Sequence, residues 1–487
     1  MKSNKKRLSN KVDIILYFIA KVFTGLLSFV AISIFTYYLK PGIYGEYSLL
    51  QGIINVFVSI FIGWMSSAVL RYYDDYKELK EKIFTNIFID YIFLTIVVIL
   101  TFIAISFISI NIKLKDYLLF TILLFIGCSL SDLFASIVRA SKETKIYVIL
   151  VITQYIISIF MFLILTIVYN MKISAVFISY IISYLIIILY YIIHYRIYKY
   201  IKLKDYSFEI QKKFLKYGLP MVGVWATSWI LNYSDRYIIQ LFTSTEKVGL
   251  YDIAYKLSEN SINIITTSIS MAMMPHIIEE FKNGGNIRAN DILKKYLKIF
   301  NIIIIPAIFG LIGIRNHIYG TLISIDYISG SNIIIYISIS MFFLGTSQLL
   351  YKIWQLNEKT VNILRLMIFS VILNILLNII FVPKYGFIVA AVTTLLSNII
   401  TFVLTYYSIK RAYLFKFDYL SFIKILSSSI LMYLFIIIVN PFINSIPKLI
   451  LEIVIAIIIY FVSLMLFKEI KDEMNTIKSH FRKNKVS

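Results

Sequence analysis

The sequence predicts an all-α polytopic membrane protein of about 14 transmembrane helices, with two six-helix lobes related by a parallel repeat and two further helices. Three observations predict this fold. The 487 residues are 60% hydrophobic and 15% charged, whereas soluble domains are about 25% charged. Basic residues alternate between successive loops. Three stretches of the first half reappear in the second half.

Apolar runs recur along the whole chain, and each is long enough to cross a hydrocarbon core of roughly 30 Å as a helix. The basic start MKSNKKRLSNK leads into a run that is too long for a cleavable signal peptide, so an uncleaved first span is expected. The single cysteine, Cys128, excludes an internal disulfide. The predicted spans are about 13–39, 48–70, 83–112, 117–138, 146–169, 174–198, 217–242, 249–278, 296–314, 331–350, 361–381, 387–409, 419–440 and 448–467.

The distribution of Lys and Arg tests this layout. With the N-terminus in the cytoplasm, the tails and loops on that side carry 37 of the 48 basic residues, and the opposite loops carry 8. The positive-inside rule therefore predicts that both termini are cytoplasmic. It also explains the net charge of +22 without a nucleic-acid partner. The longest basic loop, residues 194–218, is expected to lie on the anionic inner leaflet.

Three matches in the same order indicate an internal duplication. YGEYSLL, which starts at Tyr44, matches VGLYDIA, which starts at Val248. Gly45 and Gly249 of this pair are expected to let the chain turn at the outer surface. The other matches are SDLFASIVRASKETKIYVILVI with SQLLYKIWQLNEKTVNILRLMI, and NMKISAVFISYIISYLIIILYY with KYGFIVAAVTTLLSNIITFVLTYY.

The duplication predicts a transporter. Each half has an even number of spans, so the repeats are parallel, as in secondary transporters whose substrate site lies between two rocking halves. The predicted parts are an N-terminal lobe (1–198), a basic cytoplasmic linker (199–216), a C-terminal lobe (217–410), and two extra helices with a basic cytoplasmic tail (411–487).

Three segments resemble a known family: YYLKPGIYGEYSL, SDRYIIQLFTSTEKVGLYDIAYKLS and LNEKTVNILRLMIFSVILNILLNIIFVPKYGFIVAAVTT. The chain resembles the Wzx-type polysaccharide or oligosaccharide flippases of the MOP exporter superfamily, which have a MATE-like fold. The resemblance implies alternating access that moves an undecaprenyl-pyrophosphate-linked oligosaccharide from the inner to the outer leaflet of the bacterial plasma membrane. It also implies contacts with membrane lipids and with other polysaccharide-assembly proteins.

Ionisable residues within spans are costly and usually face a cavity or pair with each other. Lys21 is either a cation that meets a pyrophosphate in the central cavity or a lysine that reaches the inner surface. Lys256 lies between Asp252 and Glu259 on one face of the eighth span, which is too polar to face lipid. This face is expected either to line the translocation path or to hold two helices together.

Four further charges are candidates. Asp235 and Arg236 lie near the predicted outer end of the seventh span, and as neighbours they point about 100° apart and should not pair directly. They are either cavity charges or structural ties. Arg71 and Arg139 lie at the inner ends of the second and fourth spans, where they either recruit the pyrophosphate or only flank the membrane.

Asp90 and Asp132 are candidate coupling carboxylates, because a carboxylate at low dielectric can exchange a proton or Na⁺. The alternative is a structural acid that is hydrogen-bonded or ion-paired. No cofactor is expected apart from coupling H⁺ or Na⁺. No metal site is expected either, since the four histidines are far apart in the sequence.

Walker, dinucleotide-binding, HExxH and GxSxG motifs are absent from the sequence, so no enzyme is expected. Two alternatives remain within the transporter class: a flippase for lipid II or a teichoic-acid precursor, and a MATE-type multidrug or cation antiporter. A polymerase or ligase is disfavoured, because no predicted outer loop exceeds about 20 residues.

Overall fold

The computed structural model describes residues 2–76, 80–108, 115–443 and 445–469. Within these ranges the chain is almost entirely helical, which confirms the predicted all-α polytopic fold. The helices are α1 (Lys2–Tyr38), α2 (Pro41–Phe57), α3 (Gly63–Tyr72), α4 (Lys80–Ile108), α5 (Leu118–Ala140), α6 (Thr144–Ile167), α7 (Ile173–Tyr195), α8 (Phe208–Phe242), α9 (Thr245–Thr321), α10 (Ile333–Leu356), α11 (Thr360–Tyr385), α12 (Val389–Tyr413), α13 (Tyr419–Val439) and α14 (Ile446–Leu466).

Twelve helical stretches in the described part of the chain are long and apolar enough to cross a membrane. The prediction of about 14 spans exceeds this number for two reasons. The helix α8 corresponds to the predicted seventh span, but polar residues such as Thr227, Ser228 and Asn232 interrupt its apolar stretch. The helix α9 counts once although it contains the predicted eighth and ninth spans.

The length of α9 shows that it cannot be one span. A straight helix of its 77 residues would measure roughly 115 Å at 1.5 Å per residue. The helix is broken at Gly284 and Gly285, and Gly285 has a φ of +62°, which glycine adopts without a steric cost. The segments on either side of this break hold the two predicted spans.

A π turn lies within the predicted second span. The helix α2 begins with Pro41 at its first position, where the missing N–H is not needed. It continues through a π turn at Val58–Ile62 directly into α3. A π turn adds one residue to a helical turn, and such turns frequently occur at functional sites.

The chain divides into two compact units. Unit 1 comprises Met1–Asp252 and Ile375–Phe387, and unit 2 comprises Ile253–Asn374 and Ile388–Ser487. The lobe boundaries expected from the sequence stay a prediction.

Aromatic side chains form much of the core of unit 1. Phe35 of α1 meets Phe162 of α6 edge to face, with ring centroids 4.5 Å apart. Tyr47 of α2 lies parallel to Tyr180 of α7 at 6.4 Å. Such pairs contribute about 0.5–1.5 kcal/mol beyond their burial. They fix the first two predicted spans against the fifth and sixth.

Buried amides and hydroxyls connect the helices of unit 2. Asn398 of α12 donates to Ser340 of α10 at 2.7 Å. Asn374 of α11 donates to Thr394 of α12 at 3.1 Å. Interhelical hydrogen bonds of this kind hold helices together in a membrane, where the apolar lipid provides no hydrophobic driving force for helix association.

Candidate functional site

A polar cavity of about 230 Å³ lies in unit 1 beside the π turn. Its wall combines serine hydroxyls, one carboxylate, one guanidinium and an indole with apolar side chains. The lining residues are Val58, Ser59, Ile62, Gly63, Ser66, Ser67, Leu70, Asp132, Arg139 and Trp225. We name it the serine–arginine cavity.

The π turn and one glycine shape this cavity. The turn ends at Gly63, whose carbonyl oxygen accepts a hydrogen bond from Ser67 Oγ at 2.9 Å. A Cβ at Gly63 would lie 3.4 Å from the indole of Trp225 on α8. A Cβ there would make ordinary van der Waals contact, so α3 and the indole are adjacent neighbours in the cavity wall.

The charged wall of the cavity comes from α5. Asp132 and Arg139 are seven residues apart, which is about two helical turns, so they share one face. Their charges interact electrostatically. Arg139 is half-buried, donates from Nε to the carbonyl oxygen of Ala135 at 3.3 Å, and lies 5.5 Å from the ring centroid of Tyr147. A guanidinium beside several hydroxyls is suited to bind a phosphate group.

A buried polar cluster joins α8, the first turns of α9 and the end of α11, all within unit 1. Arg236 Nε lies 2.7 Å from Asp252 Oδ1, and the two side chains are 2% and 0% exposed. Asp235 accepts hydrogen bonds from Tyr251 Oη at 2.5 Å and from Asn378 Nδ2 at 2.6 Å. The neighbours Asp235 and Arg236 therefore take different partners. We name these five residues the Asp–Arg cluster.

The arginine of the Asp–Arg cluster has further contacts. Its guanidinium lies 5.1 Å from the ring centroid of Tyr233 and 5.7 Å from that of Tyr251. It also donates to the carbonyl oxygen of Asn232. These contacts enclose the guanidinium between side chains of α8 and of the start of α9.

The starts of α2 and α9 touch backbone to backbone. A Cβ on Gly45 would overlap the carbonyl oxygen of Thr245 and lie 3.0 Å from the nitrogen of Gly249. A Cβ on Gly249 would overlap the carbonyl oxygen of Pro41 and lie 3.1 Å from the nitrogen of Gly45. These four residues form the reciprocal glycine contact, since Thr245 and Gly249 are the repeat equivalents of Pro41 and Gly45.

This contact corrects the expectation that the two glycines turn the chain. Gly45 and Gly249 lie inside α2 and α9, which begin four residues earlier. Their physical role is close approach, because any side chain would separate the two backbones. The repeated sequence therefore contacts its own copy.

Aromatic donors on α8 hold α2 beside this contact. Trp229 Nε1 donates to the carbonyl oxygen of Gly52 at 2.8 Å, and Tyr237 Oη donates to that of Leu49 at 2.9 Å. Both acceptors are backbone carbonyl oxygens of α2. They accept these bonds in addition to the backbone hydrogen bonds within the helix. They connect a helix of the first repeat with a helix of the second.

The structure separates the residues that the sequence proposed. Asp132 and Arg139 line the serine–arginine cavity, and Asp235, Arg236 and Asp252 belong to the Asp–Arg cluster. The two sets are distinct in position and in chemistry.

The remaining candidates lie elsewhere. Lys21 on α1 is exposed. Arg71, at the end of α3, is also exposed, and its guanidinium lies 5.3 Å from the ring centroid of Tyr72. Asp90 on α4 is 8% exposed, and its carboxyl group lies near the side chain of Gln211.

Lys256 and Glu259 lie on the polar face of α9, and both side chains are half-buried. Their expected neighbour Asp252 lies four residues before the lysine on the same helix. The carboxylate of Asp252 forms an ion pair with Arg236 of α8.

Sequence reasoning missed most of the cavity wall. Ser59, Ser66, Ser67 and Trp225 were not singled out, although Ser66 and Ser67 form a polar pair inside an apolar span. The π turn that positions them has no simple sequence signature.

Unit 2 contains an apolar groove of about 460 Å³. It is lined mostly by branched apolar and small side chains of α9, α13 and α14, and we name it the α9–α14 groove. The lining residues are Ser261, Ile302, Ile303, Pro306, Ala307, Gly310, Leu311, Ile314, Met432, Ile436, Ile453, Ala456, Ile457, Tyr460 and Phe461.

Two curated proteins of Haloferax volcanii are similar to this chain. One, described as a probable low-salt glycan biosynthesis flippase, Agl15, is 21% identical over 221 residues, which cover 45% of this chain and 46% of that protein. The other, described as a probable flippase, AglR, is 24% identical over 188 residues, or 38% of each chain. The chain therefore spans less than half the length of these curated relatives.

Solved structures share the fold. The lipid II flippase MurJ in an inward closed conformation has a TM-score of 0.76 at 22% identity, covering 95% of this chain and 99% of that chain. An inward-facing multidrug resistance MATE family transporter of the MOP superfamily has a TM-score of 0.61 at 17% identity, covering 80% and 95%. These likenesses confirm the predicted MATE-like fold.

A model of one protein family, described as polysaccharide biosynthesis protein, matches residues 11–280. The match covers more than half of the chain and includes α1 to α8 and the start of α9, with the serine–arginine cavity and the reciprocal glycine contact. The protein therefore belongs to the polysaccharide biosynthesis protein family.

Proposed function

We propose that the protein is a flippase that moves a polyprenyl-pyrophosphate-linked oligosaccharide from the inner to the outer leaflet by alternating access. The observation that carries the proposal is the serine–arginine cavity within a MATE-like fold. It offers Arg139 and three serine hydroxyls to a phosphate-bearing head group. The family and the two probable flippases support the same substrate class.

The location belongs to the proposal. We place the chain in a bacterial plasma membrane with both termini in the cytoplasm, on the basis of the alternation of basic loops. Arg139 lies at the cytoplasmic end of α5 in this topology, where a head group would first be captured. Exposed Arg71 and Lys21 would add positive charge to the same approach, and other polysaccharide-assembly proteins would deliver the substrate.

The α9–α14 groove suits the lipid part of such a substrate. It is open and almost entirely apolar, and its small residues Ala307, Gly310 and Ala456 leave room for a chain of isoprene units. Burying apolar surface gains about 25 cal/mol per Å². We propose that the polyprenyl tail lies in this groove while the head group crosses.

Flipping is tested with the purified protein in lipid vesicles that contain a polyprenyl-pyrophosphate-linked oligosaccharide. An impermeant glycosidase added outside then cleaves the outer-leaflet sugar. The protein is expected to raise the cleaved fraction above that in protein-free vesicles. No increase would contradict the proposal, and resistance to cationic drugs in cells that lack other pumps would favour a multidrug antiporter instead.

An Arg139→Gln variant is expected to flip this substrate about tenfold or more slowly. The reason is the loss of hydrogen bonds to a charged group, which contribute about 1.5–3 kcal/mol each. Arg139→Lys keeps the positive charge but loses the planar guanidinium that can bind a phosphate through two hydrogen bonds. This variant should therefore recover part of the wild-type flipping rate. The control is Arg365→Gln on α11, where the arginine is exposed. Equal rates for Arg139→Gln and Arg365→Gln would remove Arg139 from the binding site.

A Gly310→Leu variant is expected to slow the flipping of a long-chain substrate about tenfold, equivalent to two buried methylene groups at about 0.8 kcal/mol each. The added side chain fits, since a Cβ at Gly310 meets only Met432 Cε at 3.9 Å, and it fills part of the groove. A short-chain analogue should be flipped at the wild-type rate. Gly42→Leu is the control, because nothing lies within 4 Å of a Cβ there. Equal slowing of both chain lengths would contradict a tail site.

A further inference from the structure

Two buried glutamates at the C-terminal helices have opposite surroundings. Glu469, just after α14, is 7% exposed. It accepts a hydrogen bond from Ser421 Oγ at 2.5 Å, and both Lys298 Nζ and Lys424 Nζ lie 3.3 Å from its carboxylate oxygens. Two ammonium groups and a hydroxyl therefore surround the carboxylate of Glu469.

Glu452, in the second turn of α14, is 2% exposed. Neither of its carboxylate oxygens has a hydrogen-bond partner among the residues that the structure describes. A buried carboxylate without hydrogen bonds or a paired cation carries a penalty of several kcal/mol. The neutral acid avoids this penalty. Burial without partners therefore favours the neutral form of Glu452 over the carboxylate.

Polar and charged side chains of the segments next to Glu452 lie on α9, on α14 itself and after α13. On α9, the imidazole of His317 interacts electrostatically with Glu452. Arg315, also on α9, directs Nη1 to the carbonyl oxygen of Ile312 at 2.8 Å. On α14 itself, Lys448 is exposed one turn earlier. After α13, Asn440 donates to the carbonyl oxygen of Gly313 at 3.0 Å, one turn before the histidine.

The position of Glu452 links it to the α9–α14 groove. Its neighbour Ile453 lines the groove, and so does Ile314, three residues before His317. A charge at Glu452 would therefore arise beside the apolar wall that we assign to the lipid tail. A neutral acid is compatible with an apolar occupant there, whereas a carboxylate is not.

We propose that Glu452 is a proton-binding site that couples tail occupancy and transport to proton movement. The proposal rests on the proposed function. Release of the carboxyl proton to water leaves one negative charge beside the groove. Rebinding of one proton restores the neutral acid.

Infrared spectroscopy of the intact protein in lipid nanodiscs tests the site itself. A carbonyl stretch of a protonated carboxylic acid is expected in the wild type and should disappear as the pH is raised. Glu452→Gln should remove this band, whereas the control Glu469→Gln should retain it. A band that persists in Glu452→Gln would overturn the proposal.

Flipping in vesicles under an imposed pH gradient tests the coupling. The wild-type rate is expected to depend on the direction of the gradient, and this dependence should vanish in Glu452→Gln and remain in Glu469→Gln. An unchanged gradient response in Glu452→Gln would refute coupling through this residue. If the wild type flips nothing, the proposed function fails, but the infrared result still decides whether Glu452 binds a proton.

Discussion

Substitution of Gly45 by valine is expected to reduce flipping at least tenfold while the protein stays folded. The added side chain overlaps the carbonyl oxygen of Thr245, so α2 and α9 cannot keep their backbone contact. Overpacking of this kind costs about 1–3 kcal/mol, which shifts a conformational equilibrium about 5- to 150-fold. A transporter that rocks between two states needs both of them populated.

The reciprocity of this contact gives a sharper expectation. Gly249→Val should have the same effect as Gly45→Val, since each glycine faces the turn that starts the other helix. Flipping by the double variant should be only slightly slower than flipping by either single variant. The first valine already separates the two backbones, so the second valine causes little further change. Residues in contact are expected to be non-additive in this way.

The measurement combines flipping with disulfide cross-linking of cysteines placed in the first turns of α2 and α9, after replacement of Cys128 by serine. Cross-linking should fall in both valine variants. Gly42→Val is the matched control, because nothing lies within 4 Å of a Cβ at this position. Wild-type flipping in Gly45→Val would show that the contact does not have to form during transport.

The fold could be predicted from the sequence because a membrane strongly restricts the length and polarity of the segments that cross it. Apolar length and the alternation of basic loops can be read directly from the sequence. They also predict a span in α8, which is too polar to count among the twelve apolar stretches. The internal repeat was also visible. That the two copies touch through Gly45 and Gly249 was not, because backbone contact between distant segments is a tertiary property.

The site was predicted less completely for a related physical reason. Asp132 and Arg139 lie two turns apart on one helix, so their common face follows from helical spacing. Spacing grouped Asp252 with Lys256 on one helix face, and it did not predict the ion pair of Asp252 with Arg236, which lies sixteen residues earlier on another helix. Nothing in the sequence indicates that Glu452 is buried without hydrogen-bond partners, because this property depends on the tertiary packing of the helices.

The second large effect is expected from the Arg236–Asp252 ion pair. Arg236→Met should destabilise the protein by about 3–5 kcal/mol, because it leaves a carboxylate buried without its cation. Asp252→Asn should also be strongly destabilising, since a guanidinium is then buried without its anion. Both effects should appear as lower unfolding temperatures in lipid nanodiscs.

An exposed ion pair of similar length is the matched control. Lys142 Nζ lies 2.9 Å from Asp74 Oδ2, and these side chains are 73% and 62% exposed. Lys142→Met should therefore cost less than about 1 kcal/mol. The contrast with Arg236→Met isolates burial as the cause, since the two pairs have almost the same separation.

The double variant Arg236→Met/Asp252→Leu decides between the two interpretations of this arginine. If the pair only ties helices together, apolar replacements of both partners should restore much of the stability lost in Arg236→Met, and flipping should return with it. If Arg236 contacts the substrate, stability should return while flipping stays low. The first result is expected, because Arg236 is 2% exposed and is already held by Asp252, two tyrosine rings and the carbonyl oxygen of Asn232. A guanidinium so enclosed would have to break these contacts, at a cost of several kcal/mol, before it met a head group.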